Sequence, residues 1–136
     1  MKDTILIYRL SDDIKGKIKE IANELDIDVR DISIQHLYQK MGYLLNMDGY
    51  TYQEQMLPSS SMDQPFVFFA LNKDEQLDLL LQLFRMKGIP HIPYKAVLTQ
   101  YNVDYTFARL YQSVANEYQQ MIQMNQKNRF FFYKKS

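Results

Sequence analysis

Three polar residues, Lys95, Thr99 and Asn102, lie close together around the end of an aliphatic stretch, residues 92–99. The stretch is typical of a strand, and Asn102 or Asp104 can cap the helix that follows it. Open α/β folds bind ligands at the carboxyl ends of their strands, so the three side chains form a candidate ligand-binding site. A plain strand-to-helix turn explains the same residues and is the interpretation that we prefer.

The other residues suited to metal or acid–base chemistry form no recognised pattern. The two histidines, His36 and His91, are far apart and have no Cys or acidic partners at ligand spacing. Asp26, Asp28 and Asp31 lack the glycine and the terminal glutamate of a calcium loop, and they fit the exposed face of an edge strand. We therefore assign no catalytic residue, no metal ligand and no cofactor, and we favour a non-enzymatic role.

The composition is that of a single globular domain. The 136 residues are enough to bury a hydrophobic core without a metal or a disulfide, and none of them is cysteine. A cysteine-free chain fits a reducing compartment, and its start lacks a signal-peptide pattern, so we expect a cytoplasmic protein. No apolar run reaches the roughly 20 residues that span a bilayer. The 16 basic and 16 acidic residues balance, which gives no strong signal for nucleic acid.

The first half of the chain predicts a strand, a helix, an edge strand and a second helix. Residues 4–8 are β-branched or aromatic, and Ser11 behind them is a good N-cap for an amphipathic helix. Residues 26–32 alternate charged and aliphatic side chains, as a strand with one exposed face does. A second helix is expected at about 33–46, and residues 48–65 form a connection without clean periodicity.

The second half repeats this order. Six apolar residues, 66–71, predict a buried strand, and placing Ile5 on Phe66 also aligns the helices that follow. Asn72 is expected to start its helix through a capping box, and Gly88 to end it in the left-handed conformation. This helix carries apolar residues nearly all round, so we expect it to be more buried than the first helix and to offer a surface to a partner.

These elements predict a fold of the α/β class. Two related βαβ halves, residues about 4–47 and 66–127, form one small sheet with flanking helices and a long C-terminal helix, and the strands within each half are parallel. We prefer a continuous sheet in which the two equivalent first strands are neighbours, and a ferredoxin-like interleaving is the alternative. Residues 1–128 then form the domain, and residues 129–136 form a basic aromatic tail.

A family resemblance lies between Gly88 and Thr106, in the sequence GIPHIPYKAVLTQYNVDYT. It resembles the signature of an uncharacterised bacterial family, domain of unknown function 3783, and the resemblance extends over roughly residues 66–115. Where this chain has Tyr105, the family has an aromatic residue, often Trp. The resemblance implies a small bacterial domain and supports the segment boundaries, but it implies no activity.

The C-terminal segment differs from the rest of the chain. A helix from Asp104 to about Gln126 would be about 35 Å long, which is longer than a small sheet can cover, so we expect part of it to project. The candidate interaction surface consists of apolar and aromatic residues of this helix and the tail: Tyr118, Met121, Ile122, Phe130, Phe131, Phe132 and Tyr133.

The tail either packs on its own subunit or forms a patch that docks a partner protein or a second copy. Burying two of its rings is worth about 3–6 kcal/mol, so we expect an ordered tail, and the long helix favours a symmetric homodimer. Attraction to anionic lipid or nucleic acid is a weaker alternative, because four positive charges are few.

Two function classes remain open at this point. The leading one is a non-catalytic protein-interaction or regulatory module, because the third helix is apolar, the fourth helix projects, and paired catalytic groups are lacking. The alternative is a small-molecule-binding protein or enzyme with its polar site around Lys95, Thr99 and Asn102. A cavity that contains all three side chains would favour the alternative.

Overall fold

A computed structural model describes the backbone of residues 1–54 and 61–135, and the side chains of these residues as far as Asn125. In chain order the elements are β1 (Thr4–Tyr8), α1 (Asp12–Glu24), β2 (Asp28–Asp31), a 3₁₀ turn (Ile34–His36), α2 (Met41–Leu44), β3 (Phe66–Ala70), α3 (Asp74–Met86), β4 (Tyr94–Val97), a 3₁₀ turn (Asn102–Asp104) and α4 (Phe107–Lys135). No helix within these described ranges is both long and apolar enough to cross a bilayer.

The four strands form one sheet in the order β2-β1-β3-β4. β1 is parallel to β2, β3 is parallel to β4, and the two central strands are antiparallel with Leu6 opposite Phe68. A helix connects the strands of each parallel pair, as such a connection requires. The predicted α/β class is confirmed: one four-stranded sheet, flanking helices and a long C-terminal helix. The two first strands, β1 and β3, are neighbours, and β2 lies at an edge.

Both faces of the sheet are covered, and every residue of the two central strands is buried. On one face α1 and α3 pack on a cluster that includes Ile5, Ile7, Val67 and Phe69. On the other face α2 and the first part of α4 enclose an aromatic cluster. This cluster contains Tyr8, Phe66, Phe68, Tyr94, Phe107 and Tyr111, among others.

Two of the predicted helix ends are confirmed and one is wrong. The hydroxyl of Ser11 accepts a hydrogen bond from the amide of Ile14 at 3.3 Å, and Gly88 has a φ of +75° at the end of α3. The N-cap of α3, however, is Lys73 rather than Asn72, and its side chain makes no capping bond. Asn72 instead donates its backbone and side-chain amides to the carboxylate of Asp3, at 2.8 and 2.7 Å.

The predicted helix at 33–46 is wrong, because tertiary pairing breaks it into a 3₁₀ turn and the single turn of α2. Lys40 forms an isolated antiparallel bridge with Thr106, and the amide of Met41 donates to the carbonyl of Tyr105 at 2.8 Å. The backbone between the two short helices thus pairs with the segment that begins α4. Gln39, fully buried, bonds through its side-chain amide to both backbone groups of Gln53.

The two long helices also differ from expectation in their burial. α3 buries only Leu80 and Phe84, whereas α1 buries three residues, so α3 is not the more buried helix. Leu79 and Met86 of α3 are 41% and 81% exposed. Because apolar residues lie on nearly all sides of α3, some of its hydrophobic side chains are exposed to solvent.

Candidate interaction surfaces and the predicted polar site

Thr99 and Asn102 meet in a closed loop directly after β4. The side-chain oxygen of Asn102 accepts from the amide of Thr99 at 2.8 Å, and its side-chain amide donates to the carbonyl of Val97 at 2.8 Å. The hydroxyl of Thr99 accepts from the amides of Tyr101 and Asn102, at 3.2 and 3.0 Å. These bonds satisfy the loop's own backbone, which is the usual role of Asn and Thr side chains in tight turns.

Lys95 lies apart from that loop. It is exposed on β4 opposite Val67, on the sheet face that α1 and α3 cover, and it lines a cleft with Arg85 and His91. Neither Thr99 nor Asn102 lines that cleft. The structure therefore brings two of the three predicted site residues together and separates the third, and ligand binding by the three stays a prediction.

α4 begins three residues later than expected, at Phe107, and Thr106 is its capping residue. The hydroxyl of Thr106 accepts from the amide of Arg109 at 3.2 Å. The helix then continues to Lys135, 29 residues or about 43 Å at 1.5 Å per residue. Its backbone includes most of the predicted tail, residues 129–136, but the side chains of Phe130, Phe131, Phe132 and Tyr133 lie outside the described residues.

The predicted interaction residues of α4 differ in their burial. Tyr118 packs edge-on against Tyr94 with ring centroids 5.6 Å apart, and it is the last described residue of α4 that contacts the core. Ile122 is half-buried, whereas Met121 and Met124 are 52% and 63% exposed. We call these two methionines, with the half-buried Ile122, the α4 surface.

The structure contains a second surface that the sequence did not predict. It is a groove between α3 and the edge strand β4. Its basic cleft, about 220 Å³, has Leu81, Phe84 and Ile92 among its walls beside Lys95, Arg85 and His91. Its aliphatic cleft, about 290 Å³, is lined by Phe69, Leu71, Leu77 and Val97, with Lys73, Asp74 and Asp78 at its margin. The sequence signal was the all-round apolar pattern of α3, which predicted a surface but not its position.

Other polar groups have structural partners. The Ser33 hydroxyl and the His36 ring nitrogen lie 3.1 Å apart, and the described residues contain no cluster of three His, Cys, Asp or Glu side chains suited to a metal. Burial raises the pKa of the Tyr111 hydroxyl, which accepts a hydrogen bond from the amide of Gln64 at 3.0 Å. The hydrogen bond to the Asp104 carboxylate raises the pKa of Tyr50.

The fold and these surfaces define an α/β domain with a four-stranded mixed sheet, an accessible edge groove and a long C-terminal helix. Residues 65–121 match the sequence model of the family described as a domain of unknown function (DUF3783). The match covers β3, α3, β4 and the first half of α4, and it confirms the family resemblance. Neither the curated proteins nor the solved structures contain a match to the chain.

Proposed function

We propose that the protein is a non-catalytic protein-interaction or regulatory module that self-associates through the α4 surface. The observation that carries the proposal is the exposure of Met121 and Met124 on a helix whose described core contacts end at Tyr118. An isolated helix is only marginally stable in water, so the part of α4 beyond Tyr118 gains stability from a partner. Methionine suits such a surface because it adapts to different packing partners.

A second copy of the chain is the partner that the geometry favours. From Gln119 to Lys135 the helix extends about 25 Å, long enough for two such helices to pack side by side. Full burial of one methionine side chain is worth about 1.5–3 kcal/mol, and a symmetric dimer buries each residue twice. The hydrogen bonds of Thr99 and Asn102 to their own loop make the small-molecule site the less favoured alternative.

Sedimentation velocity over a micromolar concentration range tests the association. We expect a dimer for the full chain and at least a tenfold weaker association for Met121→Lys, because the substitution places a charge in the apolar contact. Gln123→Lys is the matched control: it adds the same charge at an exposed position about 160° around the helix from Met121 and about 100° from both Ile122 and Met124. A full chain that sediments as a monomer would contradict self-association, and equal effects of both lysines would contradict the assigned helix face.

Three further properties are proposed on separate observations: an internal repeat, a cytoplasmic location and a bacterial source. β1 with α1, and β3 with α3, have equal lengths and recur at a spacing of 62 residues, which supports an internal repeat in which Ile5 corresponds to Val67 rather than to Phe66. Ile18 and Leu80, one such pair, are both fully buried, so replacing either with Ala should cost about 2–5 kcal/mol in urea unfolding. A loss at only one of them would argue against the repeat.

The lack of cysteine supports a cytoplasmic location, and the family resemblance supports a bacterial source. Fractionation of the native cell tests the location.

A further inference from the structure

The outer edge of β4 carries backbone groups that point away from the sheet. The amide of Leu98 donates inward to the carbonyl of Phe69 at 2.9 Å, and pairing directions alternate along a strand. The amide and carbonyl groups of Lys95 and the amide of Val97 therefore face outward. The carbonyl of Val97 also points outward, but Asn102 already donates to it. Asn102 thus marks the end of the edge that remains open for pairing.

The two clefts of the groove are spaced like neighbouring side chains on one face of a strand. Lys95 lines the basic cleft and Val97 lines the aliphatic cleft, so the two clefts are two residues apart along β4. Successive side chains on one face of a strand have the same spacing, about 6.6 Å. A strand added to β4 would therefore place two consecutive side chains of one face over the two clefts.

The charged residues that line the groove indicate which peptide side chains it can bind. The described lining of the basic cleft contains Arg85, His91 and Lys95 and no acidic residue. Neither Arg85 nor Lys95 has an ion-pair partner among the described residues. An acidic side chain complements this cleft, and an aliphatic side chain fits the walls formed by Leu77 and Val97. A second copy of β4 fits poorly, because antiparallel self-pairing brings the two Lys95 side chains together.

We propose that β4 binds an extended acidic–aliphatic peptide segment of a partner protein, which adds to the sheet as a fifth strand. The open backbone groups of Lys95 and Val97 pair with the peptide, its acidic residue faces Lys95 and Arg85, and its aliphatic residue, two positions away, enters the aliphatic cleft. This surface is separate from the α4 surface, and binding here does not require self-association.

The probe is a fluorescein-labelled eight-residue peptide with isoleucine and glutamate two positions apart and threonine elsewhere, made in both orders. In fluorescence anisotropy with the full chain we expect at least one order to bind. Lys95→Glu should weaken that binding at least tenfold, and a peptide with lysine in place of glutamate should recover binding to this variant. Lys19→Glu on the exposed face of α1 is the matched control for charge and should bind as the parent does.

Two further measurements separate strand addition from other modes of binding. Hydrogen exchange of the ¹⁵N-labelled chain should show new protection at the amides of Lys95 and Val97, and N-methylation of alternate peptide amides should abolish binding. Met121→Lys should leave peptide binding unchanged, so failure of the α4 proposal remains distinguishable. Absence of binding by both peptide orders at millimolar concentration would overturn the proposal, as would binding that is insensitive to Lys95→Glu or leaves both amides unprotected.

Discussion

Replacement of Asn102 by Ala tests whether the loop after β4 is structural. The side chain is 8% exposed and makes two hydrogen bonds of 2.8 Å, one from the amide of Thr99 and one to the carbonyl of Val97. A net contribution of about 0.5–1.5 kcal/mol per bond predicts a loss of about 1–3 kcal/mol. Asn102→Asp keeps the acceptor but sets a carboxylate oxygen against the carbonyl oxygen of Val97, so its loss should be at least as large.

Urea unfolding followed by circular dichroism measures these differences. Asn116→Ala is the control, because Asn116 is exposed on α4 and its side chain accepts a hydrogen bond from the exposed Gln112, so its loss should be below about 0.5 kcal/mol. If Asn102→Ala is as stable as the Asn116 variant, the loop bonds do not stabilise the fold. The structural explanation of Asn102 would then be refuted, and a ligand-binding role would become the better one.

Three further predictions concern stability. Gly88→Val should destabilise the chain by about 1 kcal/mol or more in urea unfolding, because a β-branched residue is strained at a φ of +75°; an unchanged midpoint would contradict this. Ser11→Ala should cost about 0.5–2 kcal/mol, whereas Lys73→Ala, at the N-cap without a side-chain bond, should cost almost nothing, and equal losses would refute the cap assignments. Burial raises the pKa of the Tyr111 hydroxyl, so its contribution to the free energy of unfolding is present below the ordinary tyrosine pKa, about 10, and is lost as the pH rises above it. Tyr111→Phe should therefore flatten the loss of stability at alkaline pH, and an identical alkaline profile would contradict this.

Local chemistry was sufficient to predict much of the fold. The apolar run that became β3, the Ser11 cap and the left-handed Gly88 each depend on a few neighbouring residues, and the structure contains all three. The order of the sheet also follows, because a crossover helix requires parallel strands and the two most apolar strands belong at the centre.

Other features depend on contacts between distant residues, which periodicity does not reveal. The segment at 33–46 has helical spacing, but its backbone pairs with the start of α4 at Thr106. Asn72 has the right side chain for a cap, yet the carboxylate of Asp3, 69 residues away, takes its hydrogen bonds. Of the candidate site, the pairing of Thr99 with Asn102 was predictable from their spacing, whereas the position of Lys95 in the groove required the packing of α3.

The α4 association has a direct test in the distance between two copies of the chain. The chain has no cysteine, so Gln123→Cys provides a single attachment point for a spin label on the exposed side of α4 away from the α4 surface. If two copies pack through the α4 surface with axes about 8–10 Å apart, double electron–electron resonance should give a distance of about 20–35 Å between labels. The same label with Met121→Lys should lose that signal. A full chain without dipolar modulation at micromolar concentration, or with a distance that Met121→Lys leaves unchanged, would contradict the proposal that α4 joins two copies.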